Sequence, residues 1–148
     1  MDRRTVICLW VIMIGLANFL AYIIGYVFIG GEAVNGFIDP LPGGAVYYLQ
    51  SQQTVSRAVF IYSGVHSISI WPTVAAVMLA MLTLAKERII SSMRRTVIRG
   101  RTFITVLATI IAFATIVITI WFVLQFVDRL ANPRPAASAS AALTGKSI

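Results

Sequence analysis

The chain has 148 residues, one domain's worth, and is 59% hydrophobic with a mean hydropathy of +0.88. Soluble domains are about 45–50% apolar, so lipid or a large partner must cover the excess, and an ordinary water-soluble fold is excluded. The net charge of +7 is spread in blocks that set membrane topology, not in a pattern that reads nucleic acid.

The first element follows Arg3 and Arg4. Val6 to Ile29, "VICLWVIMIGLANFLAYIIGYVFI", is 24 residues without a charge. A helix needs roughly 20 residues to cross a ~30 Å hydrocarbon core. The run far exceeds the ~7–15 apolar residues of a cleaved signal peptide, so it reads as an uncleaved anchor. Gly15, Asn18, Ala21, Tyr22 and Gly25 share about a third of its wheel, a stripe of small and weakly polar residues suited to helix contact. Asn18 is the one amide in a span, and an unpaired amide in hydrocarbon is costly, so it predicts a hydrogen bond to another helix. Cys8 is the only cysteine; no intrachain disulfide and no zinc cluster is possible, and it reads as a small hydrophobe.

Gly30-Gly31 stop this span. The loop that follows, over residues 30–55, carries two β-capable runs, "EAVNGFI" and "AVYYL", around the turn-rich "DPLPGG". This predicts a small β-hairpin, with Asn35-Gly36 as a competing turn. A lone hairpin is marginal in water, so it must rest on something, and Tyr47 and Tyr48 suit an interfacial belt.

Thr54 or Ser56 can cap the next helix. Its span covers about 62–85, with Pro72 inside. Either one helix continues through the proline with a kink, or a short helix ends near Trp71 and another starts at Pro72; the first is preferred. Thr73, Ala76, Ala80 and Thr83 form its stripe of small residues. Past Ala85, Ile89, Ile90, Met93 and Val97 share one arc and Arg88, Arg95 and Arg99 the other. This reads as an amphipathic extension on anionic headgroups, ended by Gly100; a solvated basic turn is the alternative. Arg88, Arg94, Arg95, Arg99 and Arg101 are the candidate headgroup contacts.

The third span is about 103–127, within which Phe103 to Val127 is 25 residues without a charge. Thr105, Ala108, Thr109, Ala112, Thr115 and Thr119 form its stripe, a packing face or a polar conduit. The Pro-, Ala- and Ser-rich segment over 132–148 predicts a disordered tail. Eight basic residues (Arg3, Arg4, Lys86, Arg88, Arg94, Arg95, Arg99, Arg101) lie on one side of these spans and four (Arg57, Arg129, Arg134, Lys146) on the other. The positive-inside rule then places the N-terminus inside, the long loop and the C-terminus outside. The fold class is thus an all-α membrane protein of three transmembrane helices with a small external hairpin-like loop.

No Asp, Glu, Lys or Arg sits inside a span. Pumps, ion-coupled transporters and intramembrane proteases usually place ionisable groups there. The one histidine, His66, shares a helical face with Tyr62 and Ser69. Three readings stay open: a packed interfacial histidine lying against the hairpin, an axial ligand to haem or a pigment, and a catalytic or relay group. There is no second histidine for bis-histidine haem, no orienting acid, and no Gly-x-Ser-x-Gly elbow. No catalytic residue, metal site or resident cofactor is expected.

The pattern "GGEAVNG", then "YYL", then "VSRAVFIYSGVHSIS" resembles a segment of a family of small, uncharacterised bacterial integral membrane proteins. The likeness covers roughly residues 30–69. It implies a bacterial inner-membrane protein and no particular chemistry, with emphasis on Gly31, Asn35, Gly36, Tyr48, Tyr62, Ser63 and His66. The expectation is a non-enzymatic accessory subunit or homo-oligomer, with the lipid bilayer and other membrane proteins or itself as partners. A small channel or transporter component, or a haem-binding subunit through His66, are the alternatives.

Overall fold

The computed structural model describes residues 2–92 and 100–133. Its elements are α1 (Arg3–Ile29), β1 (Phe37–Leu41), β2 (Gly44–Tyr48), β3 (Thr54–Val55), α2 (Arg57–Ser92) and α3 (Gly100–Ala131). All three helices are long and apolar enough to cross a membrane. At 1.5 Å per residue, the 36 residues of α2 and the 32 of α3 reach about 54 and 48 Å, well beyond a ~30 Å core. Their surfaces are those of lipid-facing helices: Phe28 is 87% exposed and Phe113 68%, which water would not tolerate in such number.

The chain is mostly helical rather than all-α. The expected hairpin is a three-stranded antiparallel sheet of order β1-β2-β3. Its turn falls at Pro42-Gly43 as read from the sequence, with Leu41 opposite Gly44 and Phe37 opposite Tyr48. "EAVNG" is not strand: the Gly36 N–H donates to the Ala33 carbonyl at 2.9 Å and closes a turn there. Pro40 sits on the outer strand β1, where its missing N–H breaks no ladder. A second tight turn, with Gln52 N–H on the Leu49 carbonyl at 2.9 Å and Gln52 at φ +64°, brings Thr54 and Val55 back against β2.

Helix ends follow local chemistry. Gly30 (φ +81°) takes the left-handed position that stops α1, and its N–H and that of Gly31 both bond the Tyr26 carbonyl. Ser56 caps α2: its Oγ accepts the Val59 N–H at 3.3 Å, while Thr54 belongs to β3. α2 runs through Pro72 as one helix. Gly100 is the first residue of α3, not the end of the preceding segment. Met93, Arg94, Arg95, Val97 and Arg99 and the tail over 134–148 lie outside the described residues. Of the basic group, Arg88 and Arg101 are exposed, and Ile89 and Ile90 half-buried.

The described residues form two compact units. One holds residues 2–21, 70–92 and 100–119. In it, the Asn18 amide donates to Thr73 Oγ1 at 3.1 Å, the interhelical bond its position predicted. Gly15 is buried, and a Cβ there would run into the Val77 side chain. The expected stripes hold in part, with Gly15 and Ala80 buried and Asn18 bonded to Thr73. Ala75 and Ala80 are the buried alanines of α2, whereas Ala76 and Thr83 are exposed; Ala21 on α1 is exposed as well. Periodicity is a weak guide to phase in helices that are apolar on every side.

The other unit holds residues 22–69 and 120–133, which include the sheet and the ends of the helices that carry it. Its core centres on Leu49 and Phe60, both fully buried, with Ala33, Val34, Ile38 and Phe126 around them.

Candidate functional site

The sheet is held down on the helix ends by three devices. The first is aromatic. Phe60 of α2 lies 5.8 Å from Phe126 of α3 and 5.4 Å from Tyr47 of β2, ring centre to ring centre. Phe37 stacks on Tyr48 at 4.6 Å. Gly64 gives Phe126 its place: a Cβ on residue 64 would lie inside that ring. The second device is Ser63, buried one turn beyond Phe60, whose Oγ accepts the Ala33 N–H at 3.1 Å.

The third device is Arg129, in the last turn of α3. Its guanidinium donates to the Gly36 carbonyl at 3.1 Å and also to the Val34 carbonyl. Sequence reasoning counted Arg129 only as one of the basic residues beyond the third span. No local signal marks its partners, which lie more than ninety positions upstream. Its place at a helix C-terminus is the one cue, since a cation is favoured there. Arg129 satisfies two carbonyls of a non-ladder loop that would otherwise be partly desolvated without donors.

Beside this lies a polar patch. Tyr22 of α1 donates to Glu32 Oε2 at 2.9 Å, and Asn35 donates to Glu32 Oε1. The Gln50 N–H bonds the Glu32 carbonyl at 3.0 Å. The carboxylate is thereby clasped by neutral donors from α1 and the turn over 33–36, while the Glu32 backbone carbonyl ties in the β2–β3 connection. Ser51 hydroxyl bonds the Gly30 carbonyl.

His66 is half-buried. Its Nδ1 is hydrogen-bonded to the Tyr62 hydroxyl at 3.2 Å, and its ring meets Tyr62 and Tyr22 edge-on at 5.5 and 5.8 Å. Nε2 is buried with no partner. Ser69 hydroxyl donates to the His66 carbonyl at 2.7 Å. The expected face of Tyr62, His66 and Ser69 therefore forms, but its neighbour differs from expectation. The sheet packs on Phe60 and Ser63, and the imidazole packs on Tyr22 of α1. The reason is register: Ser63 sits about one turn and Phe60 nearly two turns before His66, nearer the sheet, and the larger apolar side chain takes the buried contact.

Chemically this patch does little by itself. Tyr22 lies between Glu32 and His66, and no hydrogen bond joins carboxylate to imidazole. Among the described residues Nε2 has no hydroxyl partner, and Nδ1 is bonded to the Tyr62 hydroxyl. Ser63 accepts from Ala33, and Ser67 hydroxyl donates to the Ser63 carbonyl at 2.8 Å. The crevice beside His66, between Tyr22, Tyr26 and Tyr62, has a volume of about 10 Å³. That is at the lower limit for one water and far below a macrocycle. Among the described residues no group of three His, Cys, Asp or Glu side chains could hold a metal ion.

Three threonines of α3 are turned to their own helix, whereas Thr119 Oγ1 is buried with no hydrogen-bond partner among the described residues. Thr105, Thr109 and Thr115 donate to the carbonyls of Arg101, Thr105 and Ile111 at 3.0, 2.9 and 2.7 Å. Thr105 and Thr109 are exposed, and Ala112 is half-buried. Comparison with family models, with curated proteins and with solved structures finds no match.

Proposed function

We propose that this is a non-enzymatic, three-span protein of the bacterial inner membrane. Its external sheet is a rigid contact surface for another membrane protein or a second copy of the chain. The N-terminus and the basic connection between α2 and α3 face the cytoplasm, following the distribution of basic residues. The observation that carries this reading is the order of the segment between α1 and α2. A connection of this length is usually either functional or without fixed structure. Here it is folded into a sheet with its own core and tied down through Arg129, Ser63 and Phe60.

Such fixing favours binding because little conformational entropy remains to be lost on contact. The sheet also leaves surface to be used. β1 pairs only with β2, so its other edge is open, and open edges are ready sites of strand pairing. Leu41, at the hairpin tip, is 52% exposed.

The test is a pull-down of the full chain, at its natural abundance, in mild detergent. A second membrane protein or a second copy is expected to co-purify. Leu41→Asp is expected to lose that partner while keeping the melting temperature of the parent. Recovery of the monomer alone would refute the reading.

A further inference from the structure

A groove of about 590 Å³ runs between α2 and α3, lined by Leu79 and Lys86 of the former and Arg101, Ile104, Ala108 and Ala112 of the latter. Its size lies within the ~300–1,000 Å³ of typical ligand sites. Its chemistry is graded along its length. Lys86 and Arg101 stand at one end. Leu79 is seven residues from Lys86, and Ala112 eleven from Arg101, so the wall runs on for roughly 10–16 Å at 1.5 Å per residue. That stretch is apolar apart from Thr105 and Thr109, whose hydroxyl protons are already donated to the helix.

The two cations are not neutralised from within. Lys86 is half-buried and Arg101 exposed. Among the described residues neither it nor Arg101 forms an ion pair. The adjacent carboxylate, Glu87, is exposed and does not line the groove. One residue along a helix turns the side chain by about 100°. Two cations with no ion pair among the described residues, at the mouth of an apolar slot between transmembrane helices, match an anionic phospholipid. Its phosphodiester meets both cations, and its acyl chain takes the slot. A zwitterionic lipid offers the same phosphate but brings its own cation, which Lys86 and Arg101 repel.

We propose that the α2–α3 groove is a binding site for one anionic phospholipid, with the phosphate held by Lys86 and Arg101 and an acyl chain against Leu79, Ile104, Ala108 and Ala112. The site is separate from the sheet and does not depend on its role in docking.

Native mass spectrometry of the full chain tests this, after release from nanodiscs of phosphatidylglycerol and phosphatidylcholine with matched acyl chains. A single retained phosphatidylglycerol is expected, enriched over phosphatidylcholine on the order of tenfold. Lys86→Gln with Arg101→Gln should abolish the enrichment, whereas Arg3→Gln with Arg4→Gln, the same loss of charge elsewhere, should leave it. Ala108→Phe with Ala112→Phe, which fills the slot and keeps both cations, should also lose the retained lipid. Circular dichroism reports that each variant is folded; if the Lys86/Arg101 pair is not, Lys86→Gln alone is read in its place. Equal retention of the two lipids would overturn the proposal. So would an equal effect of the Arg3/Arg4 pair, or displacement of the lipid by inorganic phosphate, since phosphate alone would then account for binding.

Discussion

Arg129 and Gly64 are the residues on which the cap depends most. Hydrogen bonds to a charged group contribute about 1.5–3 kcal/mol, and Arg129 spans two carbonyls of the turn over 33–36. Arg129→Gln is therefore expected to lower stability by about that amount, read as a lower melting temperature in detergent. Arg129→Lys should recover only part of it, because an ammonium is more strongly hydrated than the Nη1 group that donates both bonds and loses more on leaving water. Gly64→Ala places a methyl within the Phe126 ring, and overpacking of this kind costs about 1–3 kcal/mol. Removing Phe126 should relieve the Gly64→Ala defect, so the double variant Gly64→Ala, Phe126→Ala should lose less than the two changes summed. Neither residue was legible as an anchor in the sequence. Arg129 looked like one more basic residue after a span, and Gly64 like one more small residue in a helix. Their roles depend on groups distant along the chain that local pattern does not reveal.

At the scale of elements, length and absence of charge were enough to expose the three helices, because nothing else keeps an apolar run of that length out of water. The Pro42-Gly43 turn and the Ser56 cap were equally legible, since each rests on the chemistry of one or two residues. β3 was not. It is two residues long, and it lies next to a helix cap, too short for any alternation to register. Helix phase was legible only in part. With apolar residues on every side, the small-residue stripe of α2 included the buried Ala80 and Thr73, the partner of Asn18, but took the exposed Ala76 in place of the buried Ala75. Ala80→Leu is now expected to cost about 1–3 kcal/mol by overpacking. Ala76→Leu, on an exposed position, should stay within about 0.5 kcal/mol; parallel thermal melts of the two variants decide it. The Asn18–Thr73 bond offers a quantitative check on the same helices. A double-mutant cycle of Asn18→Ala and Thr73→Val should return a coupling of about 0.6 kcal/mol, typical of hydrogen bonds inside a membrane.

For the molecule as a whole, the histidine that stands out in the sequence belongs to the packing between α1 and α2. Its imidazole bonds Tyr62 and packs on Tyr22, beside a crevice with room for about one water. What distinguishes this chain is a folded, anchored cap carried by three apolar helices. Ordering such a segment costs roughly 1–2 kcal/mol per residue in backbone entropy, offset here by the burial of Leu49, Phe60 and Ile38. The proposed contact surface would draw on that order, since little conformational entropy is then left to lose on binding. Site-specific photo-crosslinking in cells tests the proposed contact surface most directly, with a photoreactive side chain at position 41 of the sheet and, for comparison, at the exposed position 87 in the other unit. The account predicts a discrete larger product from position 41, either another membrane protein or a second copy, and none of that product from position 87. An uncrosslinked chain at both positions, or the same products from both, would contradict it.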